Sequence, residues 1–126
     1  MSSASPRAPD ILLREMLDSI ARIQHYVQGT TEAQFRLNLE KQDAVVRRLE
    51  ILGEAAAQLP PDWRARHSGI SWRTIADMRN RLIHGYFNVD ISIVWLTVTQ
   101  DIGPLEIELR DILAREFPPS SAPPSP

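Results

Sequence analysis

The densest cluster of reactive side chains is the run Asp77-Met78-Arg79-Asn80-Arg81-Leu82-Ile83-His84-Gly85-Tyr86. Arg79 and His84 stand five residues apart, one and a half helical turns and ~7.5 Å along a helix axis. A guanidinium is permanently charged and forks onto a phosphate through two N–H groups. An imidazole takes and gives protons near neutrality, and at a helix C-terminus the macrodipole favours its cationic form. The pair has the chemistry for RNA cleavage without a metal. His84 would deprotonate a ribose 2′-hydroxyl or protonate the leaving oxygen, and Arg79 would hold the phosphate and stabilise charge on the pentacoordinate transition state. Asn80 could hydrogen-bond a phosphate oxygen or orient the histidine. Tyr86 would place its phenol beside the same phosphate. An ordinary solvated face ending in a histidine cap contains the same residue types, so spacing alone leaves both readings open.

The surroundings favour a phosphate. Between Leu59 and His84 stand Arg64, Arg66, Arg73, Arg79 and Arg81 against Asp62 and Asp77, a local net of +3 in a chain whose net charge is −2. Arg73 and Arg81 are the candidate RNA-binding residues. The overall acidity excludes a protein that coats nucleic acid by bulk charge, but not a local basic site. With thirteen arginines and one lysine, Lys41, part of the arginine excess can be compositional. There is no cysteine, which excludes disulfides, thiolate catalysis and cysteine metal centres. His25 and His67 have no companion at metal-ligand spacing, so neither a metal nor a cofactor is expected. No apolar run nears the ~18 residues of a membrane span. The first ten residues lack the apolar stretch of a secretory signal, and a cytoplasmic protein is expected.

Helices must position this cluster. Seven of the ten prolines lie in the ends. We therefore expect a disordered arm over 1–9, one helical domain over 10–117 and a disordered Pro/Ser-rich tail over 118–126. Leu13, Met16, Leu17, Ile20, Ile23 and Val27 predict a helix from Asp10, as its cap, to Gln28, with Gly29 ending it. Thr31 with Gln34 has the form of a capping box. It opens a second helix that should run unbroken to Leu59, where Pro60-Pro61 stops it. In its stripe Asn38 and Gln42 are polar and are read as solvent-exposed. Gly53 inside it is unfavourable by ~1 kcal/mol against alanine, and a close helix–helix approach would explain it. Asp43, Glu50 and Glu54 share a face, either solvated or paired with the arginines of the motif.

Trp63 anchors the 60–70 connector in the core. Ser71 caps a third helix from Trp72 to His84, with Gly85 just past its end. Asp90 caps a fourth, which Gly103-Pro104 should kink or split. Trp63, Trp72 and Trp95 are core or dimer contacts rather than base-stacking platforms. The fold class is all-α, an antiparallel four-to-five-helix bundle.

The string Arg79-Asn80-Arg81-Leu82-Ile83-His84-Gly85-Tyr86 resembles the signature of the HEPN superfamily, an arginine followed by four residues and a histidine. The tyrosine two residues on narrows the resemblance to the HepT-like toxins. The run Gln42 to Ala56 is similar to that family's second helix, Ile70 to Met78 to the approach to its motif, and Val89 to Trp95 to the start of its last long helix. The resemblance covers about residues 10 to 115. It implies a homodimeric ribonuclease toxin of a type VII-like toxin–antitoxin pair, with the two motifs facing across one cleft. It also implies neutralisation by a nucleotidyltransferase antitoxin of the MntA type, which transfers AMP to the motif tyrosine. On that basis Arg79 and His84 would be catalytic, Asn80 supporting, and Tyr86 the AMPylation acceptor. A non-catalytic helical module that docks a nucleotidyltransferase and binds nucleotide or RNA is the alternative.

Overall fold

The apolar spacing that begins near Leu13 produces helix α1 (Pro9–Val27), and Leu12, Leu13, Met16, Ile20 and Ile23 on it are fully buried. The computed structural model describes residues 7–84 and 90–119, without the side chains of 83 and 84. The first six residues and the tail from 120 lie outside it. Asp10 does not cap α1. Pro9 takes the first helical position, where its missing N–H is harmless. The carbonyl of Ala8 accepts the N–H groups of Ile11 and Leu12 at 3.0 and 3.2 Å, and Asp10 sits inside the first turn, where a carboxylate complements the helix dipole. Gly29 ends the helix as its sequence suggests, in the left-handed region at φ 70° that favours glycine.

The long second helix is broken in two. The Thr31–Gln34 capping box forms with both reciprocal bonds and starts α2 (Glu32–Leu37), but Asn38 interrupts it and α3 (Leu39–Gln58) follows. Asn38 leaves helical geometry at φ −113°, ψ 92° and turns its side-chain oxygen to accept the N–H of Lys41 at 2.9 Å, starting a new helix as an N-cap. Asn38 is exposed, as read, but Gln42 is not. Its Nε2 donates to the carbonyl oxygens of Phe35 at 2.9 Å and Arg36 at 3.0 Å, and the side chain is buried at 8% exposure. Those carbonyls lie at the end of α2, beyond the reach of its own i→i+4 bonds, and that of Phe35 takes one further donor, the N–H of Asn38. Gln42 is polar because it caps α2 from α3.

Pro60 and Pro61 stop α3 and start the short α4 (Pro61–Ala65), which seats Trp63 in the core with its ring edge-on to Trp72 at 5.9 Å. Helix α5 (Trp72–His84) follows Ser71. The Ser71 hydroxyl pairs with that of Thr74 at 2.6 Å. Asp90 caps α6 (Ile91–Leu96) by accepting the N–H of Ser92 at 2.9 Å. The expected break at Gly103-Pro104 takes the form of a wider, π-helical turn (Thr97–Asp101) just ahead of it, before α7 (Ile102–Glu116). Pro104 has no N–H to return to the preceding turn. The hydroxyls of Thr97 and Thr99 donate to the carbonyls of Ile93 and Trp95 at 2.9 and 2.8 Å in that stretch.

The helices assemble into an all-α bundle: α1 packs on α3, α3 on α5 and α1 on α7, while α2 bridges α3 and α6. The shared core runs from Leu12 on α1 through Leu49 and Leu52 on α3 to Leu109 on α7. A polar tie joins α1 to α7, since Gln24 Nε2 donates to Glu106 Oε1 at 3.0 Å. That bond, helped by Arg110, holds the Glu106 carboxyl below its ordinary pKa against the opposing effect of burial. Among the described residues no helix is long and apolar enough to cross a membrane.

Candidate active site on helix α5

Helix α5 is amphipathic with an arginine on the wrong side. Trp72, Ile75 and Leu82 are buried against the core, and Arg73, Asp77, Asn80 and Arg81 are exposed. Arg79, half-buried, occupies the side that faces α3. Gly53 on α3 lies directly beneath it: a Cβ at position 53 would meet the Arg79 Cβ at 2.5 Å, Cγ at 3.1 Å and Cδ at 3.5 Å. The close helix–helix approach inferred for Gly53 is therefore an approach to Arg79 itself.

The Arg79 guanidinium is not neutralised from α3. Asp43 and Glu54 are exposed, Glu50 pairs with Arg47 at 3.5 Å, and among the described residues none of the three forms an ion pair with Arg73, Arg79 or Arg81. Arg79 Nε is buried and has no hydrogen-bond partner among the described residues. A buried polar group without a partner is rare enough in native proteins to require an explanation. His84 is the last residue of α5, and its side chain lies outside the described residues, as does Tyr86 in the segment 85–89. Five residues turn a helix by roughly 140° past a full turn. The positions of Arg79 and His84 thus lie on different sides of α5, the first toward α3.

The remaining candidates have structural roles. The His67 ring lies 4.2 Å from that of Trp63, centroid to centroid, and its Nε2 is 2.7 Å from Glu116 Oε2, although the ring is not aligned for a hydrogen bond. The His67 carbonyl accepts Trp72 Nε1–H at 3.0 Å. His67 therefore ties the connector after α4 to the end of α7. Nothing in its spacing signals that, because Glu116 is distant in sequence. His25 is exposed beside Tyr26. Among the described residues no group of three or more histidine or acidic side chains is arranged to hold a metal ion. Trp63 and Trp72 are buried and Trp95 packs on Phe35 at 5.2 Å, as core contacts should. Two surface cavities of about 470 and 410 Å³ lie elsewhere, and neither is lined by Arg73, Arg79, Asn80 or Arg81.

Comparison with known proteins adds an independent finding. A family model described as "Ribonuclease HepT-like" matches residues 16–112. A Methanocaldococcus jannaschii protein named "Gamma-glutamylcyclotransferase and putative RNase" is 41% identical over 103 residues, which span 82% of this chain and 46% of that one. The chain thus spans about half the length of that relative. A protein of Caldanaerobacter subterraneus subsp. tengcongensis named "Putative RNase" is 36% identical over 87% of this chain and 98% of its own. The "Probable ribonuclease HepT" of Thermococcus cleftensis is 38% identical over 75% of this chain and 86% of its own. No solved structure matches the chain.

Proposed function

Because this chain belongs to the HepT-like ribonuclease family of the HEPN superfamily, we propose that it is a metal-independent endoribonuclease toxin whose site is built from Arg79, Asn80 and His84. The observation that carries the reading is Arg79, whose stem packs against Gly53 and whose guanidinium leaves Nε without a hydrogen-bond partner among the described residues. Among the described residues that cation forms no ion pair, so its terminal N–H groups are left for a phosphodiester oxygen.

The chemistry then follows from side-chain capacity. His84 takes the proton of a ribose 2′-hydroxyl, and the resulting alkoxide attacks the adjacent phosphorus. The P–O5′ bond breaks as the 2′,3′-cyclic phosphate forms, and a protonated imidazole returns a proton to the leaving 5′-oxygen. Arg79 balances the negative charge that grows on the phosphoryl oxygens. Asn80 hydrogen-bonds a phosphate oxygen or fixes the imidazole, and exposed Arg73 and Arg81 hold the flanking backbone by charge. With one motif imidazole per protomer, a homodimer that brings two motifs to one cleft provides both a base and an acid. Tyr86, two residues past His84, is the acceptor for AMP from a nucleotidyltransferase antitoxin of the MntA type. The added phosphodiester and base would repel and block an RNA phosphate there.

The test is cleavage of RNA in the presence of a chelator by the wild type, Arg79→Ala and His84→Ala. We expect loss of cleavage in both variants with helical content intact, and undiminished cleavage by His84→Ala would overturn the site. Binding without turnover by the wild type would favour the docking-module alternative. Intact mass after co-expression with a nucleotidyltransferase of the MntA type should show steps of about 329 Da, one adenylyl group each, that Tyr86→Phe abolishes.

A further inference from the structure

We propose that Gly53 is a positioning residue for Arg79, an inference that rests on the catalytic role proposed above for that arginine. Gly53 lies in the interior of a 20-residue helix, where glycine is unfavourable by ~1 kcal/mol relative to alanine. Its backbone does not require glycine, since Gly29 is the one glycine with positive φ among the described residues. What Gly53 provides is the absence of a side chain at the point where α3 meets the Arg79 stem. The 2.5 Å that would separate an added Cβ from the Arg79 Cβ cannot be relieved by a rotamer change, because both atoms are fixed to their backbones. Ordinary carbon–carbon contact is about 3.5–4.0 Å, so any side chain at position 53 moves α5 outward by about 1 Å. Arg79 moves with it, and its buried Nε leaves the place the packing gives it. A 1 Å misplacement of a group that must meet a transition state lowers the rate by about 10²-fold. Ground-state attraction for a polyanion, spread over exposed Arg73 and Arg81 as well, is much less sensitive.

Gly53→Ala should therefore lower kcat for RNA cleavage by about 10- to 100-fold with KM changed by less than about threefold. The comparator is Val45→Ala, a fully buried position on the same helix, which weakens packing eight residues, or ~12 Å of helix, away from Gly53. It should lower the melting temperature and leave kcat of the folded enzyme unchanged. Equal kcat in Gly53→Ala and wild type, or an equal loss in both alanine variants, would overturn the inference. Arg79→Ala run alongside separates the two claims: full activity there refutes the proposed site itself, whereas an inactive Arg79→Ala beside a fully active Gly53→Ala refutes only the positioning role. Should Gly53→Ala fail to fold, the swap Gly53→Ala with Arg79→Gly returns the missing space and should recover a folded helical protein. An unfolded swap would also overturn the contact.

Discussion

Replacing Gln42 with leucine keeps the side chain's bulk and removes its two donors. The structure sets the size of the effect. Gln42 Nε2 donates to two main-chain carbonyls, and a net intramolecular hydrogen bond contributes ~0.5–1.5 kcal/mol. The Phe35 carbonyl keeps a second donor, the N–H of Asn38 at 3.2 Å, so its loss falls at the low end. The Arg36 carbonyl lies at a half-buried contact that water can reach. A loss of about 1–2 kcal/mol follows, and at about 4 °C per kcal/mol for a chain of this length the melting temperature should fall by about 4–8 °C. Gln42→Glu should cost about 1 kcal/mol more at neutral pH, because it sets acceptor oxygens against acceptor oxygens. Those carbonyls raise the carboxyl's folded-state pKa, so the extra penalty is present above that pKa and disappears on acidification, when the protonated acid regains one donor. Thermal unfolding by circular dichroism at pH 7 and pH 4.5 reads both effects. A Gln42→Leu variant within about 1 °C of wild type, or a Gln42→Glu penalty that grows on acidification, would refute the capping role.

The Glu106 carboxyl, lowered first by the Gln24 hydrogen bond and further by Arg110, contributes stability that is present above its unfolded pKa and lost as pH falls through its folded pKa. Stability measured from pH 5 down to pH 2 should fall less steeply in Glu106→Gln than in wild type, and parallel slopes would contradict the tie between α1 and α7. Asp90→Ala, which removes the acceptor for the Ser92 N–H, should destabilise by about 1 kcal/mol, with most of the loss recovered by Asp90→Ser; urea midpoints decide it. Arg73→Ala and Arg81→Ala should each reduce the slope of log affinity against log salt for single-stranded RNA by about 0.7, and an unchanged slope would remove that residue from the phosphate track.

Local patterns in the sequence determined the helices and their ends: the stripe of α1, the Thr31–Gln34 box, the Pro60-Pro61 stop, and Asp90 at the start of α6. Each depends on residues a few positions apart, so each is legible without the fold. The motif from Arg79 to Tyr86 is legible for the same reason, and its flanking blocks carried the family. Tertiary structure decided what depends on residues distant in sequence. Asn38 and Gln42 read as two exposed polar residues of one helix; folded, one is a cap between two helices and the other a buried tie to the carbonyls at the end of α2. His67 and Glu116 meet only after α7 has packed against the bundle. Gly53 could be suspected of close packing from its position in a helix, but that the residue pressed against it is Arg79 follows only from the register of α5 on α3. A sequence specifies which side chains a helix presents; which partner each one meets is settled by how the helices pack, where a shift of one residue turns the presented face by about 100°.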